Sequence, residues 1–203
     1  QRCGHFDYFP LLLGDKMPRE PRLSALSICR EIAETAELLR PKFTEPEWNL
    51  YPKILLQKNQ LMTSSVGRLF DAVASLLGLA DKVSYEGEAA LLLEDLGRRF
   101  YQVNGLGFDQ GYPLEIVAQD SAFLIKTRGL LVQILSDLEK GLSLAYIAAK
   151  FHFSMVLLIK KISNHLKIKK IACSGGVFQN TLLVDMMEQY FPSDYQLYFH
   201  QQL

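Results

Sequence analysis

The stretch from Ile171 to Asn180 constrains the fold of this chain more than any other. Its first residues are apolar and predict a short buried strand, and Gly175 and Gly176 then predict a tight turn that leads directly into a helix. Paired glycines remove side chains where a ligand can approach the backbone. Unpaired N–H groups at the start of the following helix favour an anion or a polar part of a nucleotide. A strand–helix turn that binds nothing is the alternative interpretation.

Composition is typical of a globular protein with a substantial core. The length of 203 residues suits one large domain or one and a half small ones, and 49% of the residues are hydrophobic and 22% are charged. The 22 Lys and Arg residues are balanced by 22 Asp and Glu residues, which argues against extensive binding of nucleic acid or a membrane surface. The sequence has neither a run long enough to span a membrane nor the pattern of a signal peptide. We therefore expect a cytoplasmic protein.

The cysteines and histidines do not form a metal-binding or nucleophilic pattern. Cys3, Cys29 and Cys173 lie far apart, unlike the cysteines of a disulfide framework or a zinc site. We expect reduced thiols, with Cys29 and Cys173 filling the core. No two of the four histidines are three or four residues apart, so the sequence predicts no helical metal pair and we assign no metal ligands. Surface or core histidines explain all four.

The remaining periodicity predicts an α/β fold that is mainly helical. Apolar residues at three- and four-residue spacing predict helices over about 23–39, 68–77, 89–100, 128–139, 143–165 and 177–190. Extended segments are predicted at 5–13, 112–118, 122–127, 168–173 and 195–199. The segments 112–118 and 122–127 flank Gln119-Asp120-Ser121 and are predicted to pair as a hairpin. Residues 41–62 have no regular pattern.

Two charged features have both an ordinary and a functional interpretation. Asp71 lies nearly opposite the apolar stripe of its helix, so it is either solvated, the ordinary case, or turned towards a cleft. Lys16, Arg19 and Arg22 form a dense basic turn beside Asp15. This turn is either a solvated loop at a helix start or a site for phosphate or carboxylate, which the arginine fork binds well. Periodicity and spacing alone therefore predict an α/β lobe that binds a nucleotide or another anion, and they predict nothing more specific.

Five ordered segments resemble one family far more specifically than any of them does alone. They are Gly14–Pro21 (GDKMPREP), Thr63–Val73 (TSSVGRLFDAV), Ser84–Ala90 (SYEGEAA), Ala148–His152 (AAKFH) and Ser174–Asn180 (SGGVFQN). Together they are similar to the HypF family of carbamoyltransferases, which act in [NiFe]-hydrogenase maturation, in the latter part of the Kae1-like domain. The resemblance covers nearly the whole chain. It implies that residues 1–203 are a partial Kae1-like domain, the second lobe of the fold shared by actin, sugar kinases and Hsp70.

The resemblance implies an ATP-dependent carbamoyl transfer. HypF proteins convert carbamoyl phosphate and ATP into a carbamoyl-adenylate and pass the carbamoyl group to the C-terminal cysteine of a HypE-type acceptor protein, where dehydration gives a thiocyanate. The alternatives are a related O-carbamoyltransferase, a tRNA-modifying Kae1-like protein, or a lobe that only binds a nucleotide or a partner. Phe178–Asn180 and the Arg-Glu-Pro motif favour the HypF side over the tRNA-modifying branch.

The resemblance also implies nucleotide-binding roles for five residues. Asp71 matches the acidic residue that Kae1-like proteins place on the ribose hydroxyls. Gly87 matches a glycine against which the nucleoside packs. Gly175, Gly176 and Asn180 match a glycine turn and an amide that contact the nucleotide. We expect Asp71 and the glycine turn to form one wall of an adenosine pocket.

The basic motif and the departures from the family complete the expectations. Lys16 and Arg19 match the basic motif, and their charge suggests a catalytic role at the phosphates or the carbamoyl group. Leu13 stands where the family usually has a glycine. The His-x-x-x-His and Asn-Asp-Gly-Gly metal motifs of the family are absent, so we expect a divalent metal whose ligands lie outside this chain. The apolar ending, Tyr195–Leu203, also suggests a fragment of a longer protein, inactive on its own.

Overall fold

A computed structural model describes residues 2–108, 111–119 and 122–199. The chain divides into a first unit, which comprises the residues up to Leu93 and Leu114–Gly141, and a second unit, which comprises Glu94–Pro113 and the residues from Leu142 onwards. The α-helices are α1 (Pro21–Ile28), α2 (Thr35–Leu39), α3 (Glu45–Leu55), α4 (Val66–Leu76), α5 (Glu88–Asn104), α6 (Arg128–Glu139), α7 (Leu144–His165) and α8 (Thr181–Tyr190). The strands are β1 (Gly4–Phe6), β2 (Phe9–Pro10), β3 (Met62–Thr63), β4 (Glu115–Gln119), β5 (Ala122–Lys126), β6 (Lys170–Cys173) and β7 (Gln196–Phe199).

The first unit contains a small mixed sheet and a short strand pair. Strand β1 pairs in parallel with β5, and β5 pairs antiparallel with β4, as the hairpin prediction requires. Of the turn in that prediction, Asp120 and Ser121 lie outside the described residues. Strand β2 ends at Pro10 and pairs with β3 alone, which suits a residue without a backbone donor.

The single helix predicted over 23–39 is wrong. Helix α1 ends at Ile28, and α2 begins at Thr35 after a turn in which the hydroxyl of Thr35 donates to the carbonyl of Ile32. Local side-chain bonds of this kind compete with helix continuation. Cys29, Ile32 and Leu39 are nevertheless buried. The apolar spacing therefore reported burial correctly but not the path of the backbone.

Helix α3 lies in the region where the sequence indicated no regular structure. Thr44 caps it, and its backbone N–H donates to Glu47 Oε2 over 2.9 Å in a reciprocal capping box. Pro46 lies in the first turn, where a missing donor costs little. The Thr-x-x-Glu spacing of a capping box was the signal for this helix, and the two prolines obscured it.

Helix α4 is buried on all sides, which decides the position of Asp71. Every residue from Arg68 to Leu76 is buried, and α1 packs along α4. The solvated interpretation of Asp71 is therefore wrong. Its neighbours on the face opposite the apolar stripe include Ala74 and Ser75, and such small residues permit close packing. A solvent-facing helix surface would carry longer polar side chains.

In the second unit, α7, α8 and the second half of α5 meet at a glycine. A Cβ built on Gly97 would lie 2.9 Å from Leu182 Cδ2 and 3.1 Å from the backbone nitrogen of Ala149, so only glycine fits there without movement. Strands β6 and β7 pair in parallel, and α8 joins them in a β–α–β unit. Ser143 caps α7, as its position before the apolar stripe predicts. The mainly helical α/β prediction is confirmed.

Candidate functional site

The basic turn begins with two residues in the left-handed backbone region. Leu13 has φ 59° and ψ 24°, and Gly14 has φ 57°. Residues with a Cβ are uncommon in this conformation because the Cβ approaches the following carbonyl oxygen. A short 3₁₀ helix, Gly14–Arg19, follows. The backbone at Leu13 thus gives a physical reason why glycine suits this position in the family that the chain resembles.

The three cations of this turn have different environments. Lys16 Nζ lies 3.2 Å from Glu20 Oε1, and this hydrogen bond raises the pKa of Lys16. Arg19 is exposed and forms no ion pair with the described residues. Arg22 is buried and donates to both Glu20 and Glu47, which links α1 to α3. Arg22 is therefore a structural residue, and Lys16 and Arg19 are the two cations of the motif that reach the surface.

Asp71 is a buried carboxylate with incomplete hydrogen bonding. Its side chain is 2% exposed, and its Oδ2 lies 3.1 Å from Arg68 Nη1. Neither of these two atoms makes a hydrogen bond to the described residues. Burial raises the pKa of Asp71 to about 6, although the positive charge of Arg68 acts in the opposite direction. The carboxylate is therefore ionised at neutral pH and has capacity for a hydrogen-bond donor.

Arg68 connects Asp71 to the turn that contains Gly87. Its Nη2 donates to Glu86 Oε1 over 3.0 Å, and Glu86 directly precedes Gly87. Gly87 has φ 94°, and a Cβ built on it would meet nothing within 4 Å. Two of the predicted nucleotide residues are thus joined through one guanidinium group. The sequence alone indicated no role for Arg68 or Glu86, although Arg68 lies in the segment Thr63–Val73 and Glu86 in the segment Ser84–Ala90.

The segment that leads into this turn also runs beside the basic motif. The backbone N–H of Val83 donates to the carbonyl of Arg19 over 3.0 Å. Four of the seven predicted site residues, Lys16, Arg19, Asp71 and Gly87, therefore belong to the first unit, where the chain that leads to the Gly87 turn is hydrogen-bonded to Arg19. Gly175, Gly176 and Asn180 belong to the second unit.

The glycine turn of the second unit is open to a ligand. Gly175 has φ 92° and ψ 169°, and a Cβ built on Gly175 or Gly176 would meet nothing within 4 Å. A 3₁₀ turn, Gly176–Gln179, follows, and α8 starts only at Thr181. The prediction that the α-helix follows the glycines directly is wrong, because this 3₁₀ turn and the extended residue Asn180 intervene.

The N-terminus of α8 is closed by side chains of the protein. Glu94 Oε1 accepts from the backbone N–H groups of Thr181 and Leu182 over 2.8 and 3.2 Å, and Asn180 Oδ1 accepts from Leu183 over 2.8 Å. The expectation that unpaired N–H groups of this helix face a ligand is therefore wrong. A buried carboxylate at this position also repels a second anion. The backbone of the glycine turn remains as the surface that a ligand can approach.

The side chain of Asn180 is hydrogen-bonded to a buried histidine, His152. Nδ1 of His152 lies 2.8 Å from the carbonyl of Ala148, so Nδ1 carries the hydrogen and Nε2 accepts from the Asn180 amide over 2.9 Å. Burial lowers the pKa of His152 to about 4, so the ring is neutral at pH 7. The core interpretation of this histidine is confirmed, whereas His200 lies outside the described residues. Direct contact of Asn180 with a nucleotide stays a prediction.

The thiols and the acidic side chains do not suggest other chemistry. Cys29 and Cys173 are buried, and burial raises their pKa values to about 12 and about 11, so both are core residues as expected. Within residues 2–108, 111–119 and 122–199, no three His, Cys, Asp or Glu side chains converge in a way that would hold a metal ion. None of the helices in these ranges is long and apolar enough to cross a membrane.

A family model described as the second subdomain of the Kae1-like domain of carbamoyltransferases, HypF_C_2, matches residues 1–203. The chain belongs to this family. The HypF resemblance inferred from five ordered segments is thereby confirmed, together with the Kae1-like α/β fold and membership of the HypF carbamoyltransferase family. The individual roles of the seven site residues remain predictions.

Similar proteins and structures agree with this family. The carbamoyltransferase HypF of Synechocystis sp. is 37% identical over 131 residues, which cover 64% of this chain and 16% of that protein. A crystal structure of full-length HypF in a phosphate- and nucleotide-bound form superposes with a TM-score of 0.84 and 29% identity over 98% of this chain. The HypF structure from T. kodakarensis gives 0.75 and 25% over the same share. The chain spans 26% and 27% of those two structures.

Proposed function

We propose that this chain contributes nucleotide-contacting residues to a HypF-type carbamoyltransferase. In the proposed reaction, carbamoyl phosphate and ATP give a carbamoyl-adenylate, and the carbamoyl group passes to the C-terminal cysteine of a HypE-type acceptor protein. The observation that carries this proposal is the buried, incompletely hydrogen-bonded carboxylate of Asp71, which Arg68 connects to the open turn at Gly87. A HypF structure similar to this chain is in a nucleotide-bound form, which supports the same ligand class here.

The chemistry of Asp71 suits the hydroxyl groups of a ribose. A carboxylate accepts hydrogen bonds and donates none while it is ionised, and two neighbouring hydroxyls can each donate to it. The buried Oδ2 faces the Arg68 guanidinium at 3.1 Å without a hydrogen bond within the described residues, so the carboxylate keeps unused capacity to accept one. A buried polar atom that lacks a hydrogen bond normally has an explanation in a native protein, and a bound ligand is one such explanation.

The glycines and the cations supply the rest of the proposed contacts. Gly87, Gly175 and Gly176 leave open space where a side chain would stand, so the flat face of a nucleoside can approach the backbone. Lys16 and Arg19 carry positive charge at the surface of the first unit, and we assign them to the phosphates or the carbamoyl group. Asn180 is engaged with His152 and Leu183, so its proposed contribution includes holding the glycine turn in place.

We assign the metal of the proposed reaction to ligands outside this chain. Within the described residues the acidic and imidazole groups do not fit a metal centre, and no step is routed through one. Carbamoyl transfer by the 203 residues alone is accordingly not expected. Nucleotide binding, in contrast, is a property that this chain can be tested for directly.

Calorimetric titration with ATP and with AMP tests the proposal. We expect saturable binding by the unmodified chain and binding weaker by at least about tenfold in Asp71→Asn, because hydrogen bonds to a charged acceptor contribute about 1.5–3 kcal/mol each. Asp137→Asn is the matched control, since Asp137 is also a buried aspartate on a helix of the first unit. A folded chain that binds neither nucleotide at millimolar concentration would contradict the proposal.

The transfer step has its own test in a protein that contains this chain together with the rest of a HypF-type polypeptide. AMP and pyrophosphate should be released from ATP only when carbamoyl phosphate is present, and a HypE-type C-terminal peptide should gain a carbamoyl group on its cysteine. Carbamoylation of a small-molecule hydroxyl or of tRNA, with the peptide unmodified, would contradict the assignment of the acceptor.

A further inference from the structure

One buried arginine of the first unit contacts two acidic groups that differ greatly in exposure. Arg68 is 8% exposed and lies between Asp71, which is 2% exposed, and Glu86, whose side chain is 71% exposed. A buried guanidinium is costly unless it is paired, and here one end pairs with a buried carboxylate and the other with a surface turn. Arg68 thus bridges the surface turn and the buried carboxylate.

We propose that Arg68 is a positioning residue that keeps the Asp71 carboxylate ionised and fixes it relative to the Gly87 turn. This inference deepens the proposed function, because it assigns the residue that prepares Asp71 to accept hydrogen bonds from a nucleotide. Arg68 itself need not touch the nucleotide. Its two contacts, at 3.1 Å to Asp71 and 3.0 Å to Glu86, are the whole basis of the role.

The charges that act on Asp71 are few, so the effect of Arg68 can be separated from the rest. Burial raises the pKa of Asp71, Arg68 lowers it, and Glu86 raises it. Helix α1, which packs along α4, contributes Arg22 as its one charged side chain, and Arg22 is bonded to Glu20 and Glu47 instead. No other charged group is a cause of the change in the pKa of Asp71 within the described residues.

Carbon-13 NMR titration of the Asp71 side-chain carboxyl in the ligand-free chain is the first test. An opposite charge within 4–6 Å commonly lowers the pKa of a carboxyl by about 1–3. Arg68→Gln should therefore raise the pKa of Asp71 by a similar amount, whereas Arg68→Lys should leave it near that of the unmodified chain. An unchanged pKa in Arg68→Gln would overturn the proposal. If Arg68→Gln does not fold, unchanged exchange rates at 84–88 in both Arg68→Lys and Glu86→Gln overturn it instead.

Amide hydrogen exchange of residues 84–88 tests the second half of the role. Glu86→Gln and Arg68→Lys should both speed exchange in this segment, because neither variant preserves both ion pairs, the one between residue 68 and Asp71 and the one between residues 68 and 86, in the geometry of the arginine. Asp95→Asn is the matched control, since Asp95 is an exposed aspartate on α5 that pairs with Arg99. Exchange as slow as in the unmodified chain in both Glu86→Gln and Arg68→Lys would overturn the coupling.

The pH dependence of AMP affinity distinguishes positioning from general structural support. In Arg68→Gln, affinity should fall by about tenfold at pH 7 and recover as the pH rises to 9, because a higher pH restores the ionised carboxylate. A loss that is equal at every pH would overturn the role. If the unmodified chain binds neither AMP nor ATP, the proposed function fails, and the titration of Asp71 and the exchange at 84–88 still decide whether Arg68 acts as proposed.

Discussion

The side-chain amide of Asn180 donates to Nε2 of His152 over 2.9 Å, and His152 is completely buried. His152 in turn donates from Nδ1 to the carbonyl of Ala148 on its own helix. Because the tautomer of the ring is fixed in this way, the orientation of the Asn180 amide is fixed as well, with Oδ1 towards Leu183. The glycine turn therefore ends on a residue that the core of the second unit holds in one orientation.

The neutral state of His152 makes the second unit sensitive to acid. Burial lowers the pKa of His152 from its ordinary value of 6.5 to about 4, so the unfolded chain binds a proton between these values and the folded chain does not. The contribution of neutral His152 to the free energy of unfolding should therefore be fully present above pH 6.5. The free energy of unfolding should fall by up to about 3 kcal/mol as the pH falls to 4. His152→Gln should remove most of this dependence. Amide exchange of residues 170–190 between pH 4 and 7.5 measures it, and an equal dependence in both proteins would contradict the assignment.

Asp71 should affect the first unit in the opposite direction. Burial raises its pKa from 3.8 to about 6, so the folded chain holds a proton in this range that the unfolded chain releases. The stability linked to Asp71 is therefore complete below pH 3.8 and is lost as the pH rises through 6. At pH 8, Asp71→Asn should raise the free energy of unfolding by roughly 1–3 kcal/mol while it weakens nucleotide binding. Denaturant unfolding at pH 5 and pH 8 measures the difference, and a variant less stable at both values would refute it.

Leu13 should tolerate replacement by glycine. A left-handed backbone costs a residue with a Cβ about 1–2 kcal/mol, whereas glycine adopts it freely at an entropic cost of about 0.5–1 kcal/mol. From the backbone alone, Leu13→Gly should therefore change the free energy of unfolding by between about zero and +1.5 kcal/mol. Leu11→Gly is the control, because Leu11 has no left-handed backbone to relieve and should lose stability. Equal losses in the two variants, measured by thermal unfolding, would show that Leu13 carries no such cost.

The two glycines of the turn should respond differently to alanine. Gly175 has φ 92° and ψ 169°, a conformation that is almost confined to glycine, so Gly175→Ala should cost about 1–3 kcal/mol of stability from backbone strain. Gly176 is outside this backbone region and has open space around it, so Gly176→Ala should fold normally and weaken ATP binding, because its methyl group occupies the proposed ligand space. Thermal unfolding and ATP titration of both variants separate strain from obstruction. Full ATP affinity in Gly176→Ala would contradict its assignment.

Patterns over short stretches predicted most elements of this fold. Helices α6 and α7, the β4–β5 hairpin and the final strand β7 lie within a few residues of their predicted positions. Regular apolar spacing with a capping serine or a glycine stop specifies such elements locally. The failures occurred where side chains compete with the backbone, as Thr35 does after α1, or where a capping box is interrupted by proline, as in α3.

The residues of the candidate site could be predicted from the sequence, but their burial and their contacts could not. The motif around Asp71 and the glycines at 87, 175 and 176 pointed to the residues. Burial of Asp71 depends on what covers the second face of α4, which the helical period of one sequence does not report. Contacts across 18 residues from Arg68 to Glu86, or 87 residues from Glu94 to Thr181, depend on tertiary packing. Sequence spacing could not indicate them.

NMR of the chain labelled at the aspartate carboxyl carbons, during titration with ATP, tests the central assignment most directly. We predict that the Asp71 carboxyl signal moves saturably, together with the amide signals of Gly87 and Gly176, while the Asp137 signal stays in place. Saturable ATP binding that leaves the Asp71 and Gly87 signals unchanged would contradict the assignment of this carboxylate to the nucleotide.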